Sequence, residues 1–218
     1  MSPSAHGATV RTLPMGESAV LLQPTDARTV LDLYRRLEAS RPPGVTDLVP
    51  AAETVLVSFD RRVIARVTVD AWVLAVTGST GSATRATAEP TGDAFVEVPV
   101  RYDGDDLAVV AELAGASVED VIAAHLDQLW TAAFIGFAPG FAYLTGENDR
   151  LAVPRRPSPR AVVPAGSVAV AAGYCGIYPR PSPGGWHLIG HTDAVLWEPA
   201  RPQPALLAPG TRVRFVRE

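Results

Sequence analysis

AVVPAGSVAVAAGYCGIYP, residues 161–179, is the stretch whose reading decides the fold. Short apolar runs are cut by Pro164, Gly166, Gly173 and Gly176. The same pattern starts at residue 129 and continues through WHLIGHTDAVLW (186–197) and RVRFV (212–216). Short strands at regular spacing, separated by turn formers, predict a barrel or a sandwich. A single layer of strands this apolar must close on itself or be covered, which favours a barrel. FVEVPVRY (95–102) reads as a further strand with Val96, Val98, Val100 and Tyr102 on one face. Pro99 cannot donate to a ladder, so this strand belongs at an edge. Two short helices are predicted near 105–114 and 118–126, the second opened by a capping box of Ser117 and Asp120.

The first third of the chain has a different rhythm. Residues 8–13 and 18–23 read as strands joined by a turn at Pro14-Met15-Gly16. Residues 26–39 read as a helix with Val30, Leu33, Tyr34 and Leu37 in one stripe, and Thr25 as a cap. Strands at 45–49 and 53–59 follow. Residues 62–76 fit a helix through Ile64, Val67, Ala71 and Leu74, against their β-branched content. The succession predicts a small α+β domain over residues 1–80, with helices on one face of a sheet. GSTGSATRATAEPTGD (78–93) is small and polar throughout and reads as the linker to a second domain, 93–218.

The chain has 218 residues, 47% hydrophobic and 19% charged, with a formal net charge of -4. This is the profile of a soluble globular protein, with no global charge pointing to nucleic acid. No apolar run approaches membrane-spanning length and MSPSAHGATV shows no signal pattern, so no membrane role and a cytoplasmic location are expected. Cys175 is the only cysteine, which rules out a disulfide within the chain and a cysteine zinc site. All 19 basic residues are arginine. Without lysine there is no Schiff base, no lysine nucleophile and no P-loop.

Three segments are candidates for a site. FIGFAPGFAYLTG (134–146) gathers aromatics around Pro139-Gly140. Either these pack as core under a turn, or the turn presents backbone N–H groups to a pocket walled by Phe141 and Tyr143. LAVPRRPSPRAVVPAGSV (151–168) holds Arg155, Arg156 and Arg160 on a proline-stiffened path. Guanidinium forks match carboxylates and phosphates, although a solvated basic loop has the same composition. YPRPSPGGWHLIGHT (178–192) repeats the device of a turn, Pro183-Gly184-Gly185, before a large aromatic, Trp186. His187 and His191 lie four apart in a strand-like context, where four residues span roughly 13 Å, so they do not share a metal and no metal site is expected. Ser182, His187 and Asp193 lack a nucleophile elbow and are not read as a triad. His125, in a predicted helix, reads as structural. Glu53, Glu97 and Asp193 are acidic candidates that spacing does not single out.

These motifs, in this order, resemble the PxpB family of 5-oxoprolinase components, which is KipI-like and includes allophanate hydrolase subunit 1. RTLPMGESAVLL, PGVTDLVPAAETVLVSFD and the closing LLAPGTRVRFV extend the resemblance over nearly the whole chain. It implies a small N-terminal α+β domain followed by a cyclophilin-like β-barrel. It also implies partners: a C component, similar to allophanate hydrolase subunit 2, and an A component. With them the complex opens 5-oxoproline to glutamate at the expense of ATP. ATP would be handled through the complex. In the alternative, the chain is half of a carboxyltransferase that moves a carboxyl group from biotin to urea or an amide. A third relative inhibits a histidine kinase. The chain departs from the family turn at Ala142 and Thr145. It carries His187 where glutamine is usual and His191 where arginine is common. The substrate site implied is an apolar cleft at one mouth of the barrel, built from Pro139, Gly140, Phe141, Tyr143, Arg155, Arg156, Arg160, Gly184, Gly185, Trp186 and His187. An arginine would bind a carboxylate or acyl phosphate, and backbone amides would polarise the amide carbonyl. The resemblance names no general base.

Overall fold

Strict alternation of buried and half-buried residues at Ala19–Pro24 (β2) and Val55–Phe59 (β4) marks a sheet with one covered face. The register confirms it. Val20 lies opposite Val57 and Leu22 opposite Val55, and all four side chains are fully buried. Such cross-strand pairs contribute roughly 0.2–1 kcal/mol each. With Val10–Pro14 (β1) and Val45–Pro50 (β3) they make an antiparallel sheet in the order β1-β2-β4-β3. The computed structural model describes residues 10–78 and 95–218, and the chain divides into two units, Met1–Gly92 and Asp93–Glu218. Apart from Gly78, the predicted linker lies outside the described residues.

Two helices cover the sheet of the first unit. Val30–Ala39 (α1) buries Val30, Leu33 and Leu37, the predicted stripe. A single 3-10 turn at Ala27–Thr29 precedes it, capped by the Asp26 carboxylate and not by Thr25. Arg66–Gly78 (α2) corrects the stripe expected there. It turns Val69 and Val73 inward, with Trp72 and Val76 beside them. Val67 is 73% exposed and Leu74 is 70% exposed. Residues 69, 72, 73 and 76 form an equally apolar i, i+3, i+4, i+7 set, and periodicity alone could not choose between the two faces. Ile64 is buried, but it precedes the helix.

The second unit is built on a seven-stranded sheet. Its strands are Val96–Val100 (β5), Trp130–Ile135 (β6), Ala142–Thr145 (β7), Ser167–Ala171 (β9), Tyr174–Ile177 (β10), His187–His191 (β12) and Arg212–Arg217 (β13). The order is β12-β9-β10-β7-β6-β13-β5, antiparallel throughout except for the β13–β5 pair. Pro99 does sit on an end strand. Beyond it, Arg101 and His191 exchange both backbone hydrogen bonds, at 2.9 and 2.8 Å. That bridge joins the sheet's first strand to its last, so the barrel is nearly closed. Arg160–Val163 (β8) and Ser182–Gly184 (β11) form a separate two-stranded ribbon. Leu107–Ala114 (α3) and Val118–Leu126 (α4) pack on β12 and β13. The capping box opens α4 as expected: the Asp120 N–H donates to the Ser117 hydroxyl, and the Ser117 N–H donates to the Asp120 carboxylate, each at 3.1 Å.

β9 is buried on both faces, and its sequence shows why. Val168 and Val170 fill the barrel interior, while Ala169 and Ala171 face a second cluster of Phe141, Tyr178, Trp186 and Leu188. Large residues point to the aliphatic core and small ones leave room for rings. Inside the barrel, His125 is fully buried. Its Nδ1 lies 2.7 Å from the Tyr102 hydroxyl and its Nε2 lies 3.3 Å from Cys175 Sγ. The Trp130 indole donates to the His125 carbonyl at 3.0 Å, and the Phe215 ring stacks 4.3 Å away. The residue is structural, as read from the sequence. Burial pulls its pKa down to about 3.

That shift predicts acid sensitivity. Between pH ~6.5 and 3 the unfolded chain takes up a proton at residue 125 that the folded chain refuses. Stability from this site is therefore complete above pH ~6.5 and falls with pH, by up to about 1.4 kcal/mol per unit. Urea unfolding of His125→Gln at pH 7, 6, 5 and 4 should show a shallower fall than the wild type.

Candidate functional site

The hairpin between β6 and β7 is set by its turn chemistry. The Phe141 N–H donates to the Ala138 carbonyl at 3.0 Å, with Pro139 and Gly140 between them. Pro at the second position and a positive-φ Gly at the third (φ 83°) is the type II pattern. A Cβ on Gly140 would also come within 2.8 Å of Trp197 Cβ. Just before this turn, the Ala138 N–H donates to the Gly136 carbonyl at 2.7 Å. Phe137 is thereby the centre of a γ-turn with φ 65°, a conformation bulky residues avoid.

Three distant stretches meet at one cleft of about 270 Å³. The hairpin contributes Phe137, Phe141 and Tyr143; the proline-rich arm contributes Arg155 and Pro159; the third segment contributes Tyr178, Pro183, Gly184, Gly185 and Trp186. The rings pack edge to face. Trp186 lies 5.6 Å from both Phe141 and Tyr143, and Tyr178 lies 5.3 Å from Phe141. This is the preferred geometry for aromatic quadrupoles and makes a rigid wall. Gly184 is required here, because a Cβ would collide with the Tyr178 hydroxyl. Burial, then the neighbouring Tyr143, pushes the Tyr178 phenol above its ordinary pKa.

The three arginines divide. Arg160 makes a bidentate pair with Asp106 at 2.8 and 2.9 Å, and Arg156 reaches the same carboxylate at 2.5 Å. The Leu188 backbone N–H adds a fourth bond at 2.8 Å. Asp106 is only 3% exposed. Burial alone would raise its pKa, but the Arg160 and Leu188 hydrogen bonds and the charge of Arg156 hold it below the ordinary value. The Arg156 N–H also donates to the Gly185 carbonyl at 2.9 Å, which ties the arm to the Trp186 turn. Arg155 differs from its neighbours. It is exposed in the cleft, and among the described residues no hydrogen bond or carboxylate pair engages its guanidinium.

Of the residues expected at the site, Phe141, Tyr143, Arg155, Gly184, Gly185 and Trp186 line the cleft. Pro139 and Gly140 shape the turn without lining it. Arg156 and Arg160 are committed to Asp106, since a buried carboxylate claims the nearest guanidinium forks. His187 does not line the cleft either. Strand alternation turns it away from Trp186 and Leu188, and both its ring nitrogens are buried without a partner among the described residues. Sequence reasoning did not assign Asp106, Tyr178, Phe137 or Pro159 to the site, and it brought in Pro183 only as part of the turn before Trp186. Asp106 had one available signal: arginines clustered on a stiff segment need a counter-anion, and the run Asp103, Asp105, Asp106 lies in YDGDD. Glu53, Glu97 and Asp193 lie outside the cleft; Asp193 pairs with Arg101 at 3.2 Å.

The carboxyltransferase domain family, subdomain C and D, matches residues 10–207. The B component of the 5-oxoprolinase of Escherichia coli O157:H7 is 49% identical over 125 residues, 56% of this chain and 57% of that protein. The match thus spans little more than half the length of that relative. The crystal structure of TTHA0988 superposes with a TM-score of 0.74 at 38% identity, over 92% of this chain and 40% of that one. The urea amidolyase of K. lactis shares the fold alone, with a TM-score of 0.71 at 16% identity, over 99% of this chain and 15% of that one.

Breaking the Asp106 cluster should be costly. Asp106→Asn leaves two guanidinium groups facing a neutral amide, and removing one partner of a buried pair costs roughly 3–5 kcal/mol. Urea unfolding at pH 7 measures this loss. In the wild type the cluster's contribution is complete above the ordinary carboxylate pKa, ~4. It disappears as pH falls through the lower folded value. The Asn variant should lack that acid-dependent step.

Proposed function

The chain belongs to the carboxyltransferase domain family, subdomain C and D, and from that premise we propose that it is the B component of a heteromeric, ATP-dependent 5-oxoprolinase. One observation carries the reading as one part of a larger enzyme. The cleft presents an unengaged cation, two phenols and apolar walls, yet no carboxylate and no imidazole stands among its described lining residues. It can bind and orient a small cyclic amide acid, but it supplies no base to activate water. The missing base comes from a partner, the C component, and an A component completes the complex.

In this reading the Arg155 guanidinium holds the substrate carboxylate through charge-assisted hydrogen bonds. The ring lies against Trp186 and Phe141. The Tyr178 hydroxyl, a proton donor as any neutral phenol is, and the backbone at Gly184-Gly185 face the lactam carbonyl. The γ-phosphoryl of ATP passes to the lactam oxygen. Water then adds to the activated carbon, the C–N bond breaks, and the nitrogen takes a proton as the ring opens. Hydrolysis of the phosphorylated carboxyl releases glutamate, ADP and phosphate, with two waters consumed in all. The chain has no lysine and so no P-loop; in this reading ATP is handled through the complex. The urea-directed carboxyltransferase reading has the family assignment behind it, but the urea-directed protein itself shares only the fold.

Co-expression with the partner proteins should yield ATP-dependent glutamate formation from 5-oxoproline that avidin does not inhibit. Absence of turnover with every cognate partner, or loss on adding avidin, would reject the proposal. In the active complex, Arg155→Ala should raise KM about 10- to 100-fold, the value of one charged hydrogen bond. Arg155→Lys should recover part of it.

A further inference from the structure

Phe137 is held in an unfavourable backbone conformation without the usual compensation. Its φ of 65° at the centre of a γ-turn is disfavoured by clash of Cβ with the backbone. Non-glycine residues tolerate such a position when the surrounding structure over-determines it, commonly by burying the side chain. Here the ring is 56% exposed. It stands over the cleft, touching Phe141 edge to face at 5.3 Å and Tyr178 at 6.1 Å. The two backbone turns fix the direction in which its Cβ leaves the chain, and the ring rests on Phe141 and Tyr178.

We infer that Phe137 is a specificity-determining residue whose ring covers the bound substrate. This rests on the proposed substrate reading of the cleft. More than half of the ring is exposed although it lines the cleft, and a five-membered lactam seated between Trp186 and Arg155 would cover apolar surface of that ring. The chemical class this selects is a small, compact ring bearing a carboxylate. An acyclic amide of the same polarity lacks the flat apolar surface that the ring covers. The strained turn acts as the positioning device: it raises a benzyl group over the cleft where a relaxed loop would let it fall away.

The test separates strain from contact. Phe137→Gly removes the ring and relaxes the turn, because glycine accepts positive φ. Phe137→Ala removes the ring and keeps the strain. In the purified complex both should raise KM for 5-oxoproline about fivefold or more, with kcat changed less. Thermal unfolding should order the two variants oppositely to an ordinary core truncation. The Gly variant should match or exceed the wild type and lie above the Ala variant. Wild-type KM in both variants, while Arg155→Ala still raises it, overturns the inference and leaves the cleft assignment standing. Unchanged KM in all three removes the cleft assignment and the inference with it. A Gly variant several degrees less stable than the wild type would make Phe137 a packing residue and overturn its role as a cover.

Discussion

A single buried carboxylate organises the second unit. Asp106 lies at the start of α3 and accepts hydrogen bonds from Arg156, Arg160 and the Leu188 backbone. These groups come from the proline-rich arm and from β12, 50 to 82 residues away along the chain. A buried charge is tolerated only when its lone pairs are filled, and here four donors fill them. The same bonds fix where the arm can run. With Arg156 and Arg160 drawn inward, Arg155 is left projecting into the cleft, and the Arg156 backbone holds the Gly185 turn beside it. Two arginines of one short segment thus serve the buried carboxylate, and their placement sets where the third one points.

Around that anchor, the cleft is made by a division of side-chain size. The Val-Ala alternation of β9 gives one face to the aliphatic barrel core and the other to rings. Because the rings rest on alanine, they pack as a continuous layer whose edge forms the wall of the cleft. The most strained residue of the hairpin stands where that wall meets solvent. Strain of this kind persists only when rigid neighbours enforce it, and the Pro139-Gly140 turn, pressed against Trp197, provides the rigidity.

Much of the architecture was legible along the chain. Short apolar runs between Pro and Gly told of a barrel, Pro99 of an end strand, and Ser117 with Asp120 of a helix start. Local chemistry decides each of these features. The failures share a cause as well. In α2, two apolar stripes of equal quality compete, and only the sheet beneath decides which is buried. Thr25 and Asp26 both can cap, and the 3-10 turn selects the aspartate. At the site, composition marked the three segments that meet, yet could not assign roles within them.

By itself, then, the sequence determined the layer types, the turn positions and the set of segments able to build a cleft, because strand periodicity and Pro-Gly turn chemistry act over a few residues. Only the tertiary structure decided which arginine is available to a ligand and which two are spent. It also turned His187 away from the cleft and raised Phe137 over it. Those outcomes depend on a carboxylate and on ring neighbours brought from tens of residues away. A guanidinium's role is set by the nearest unpaired anion in space, and no local pattern records where that anion will be.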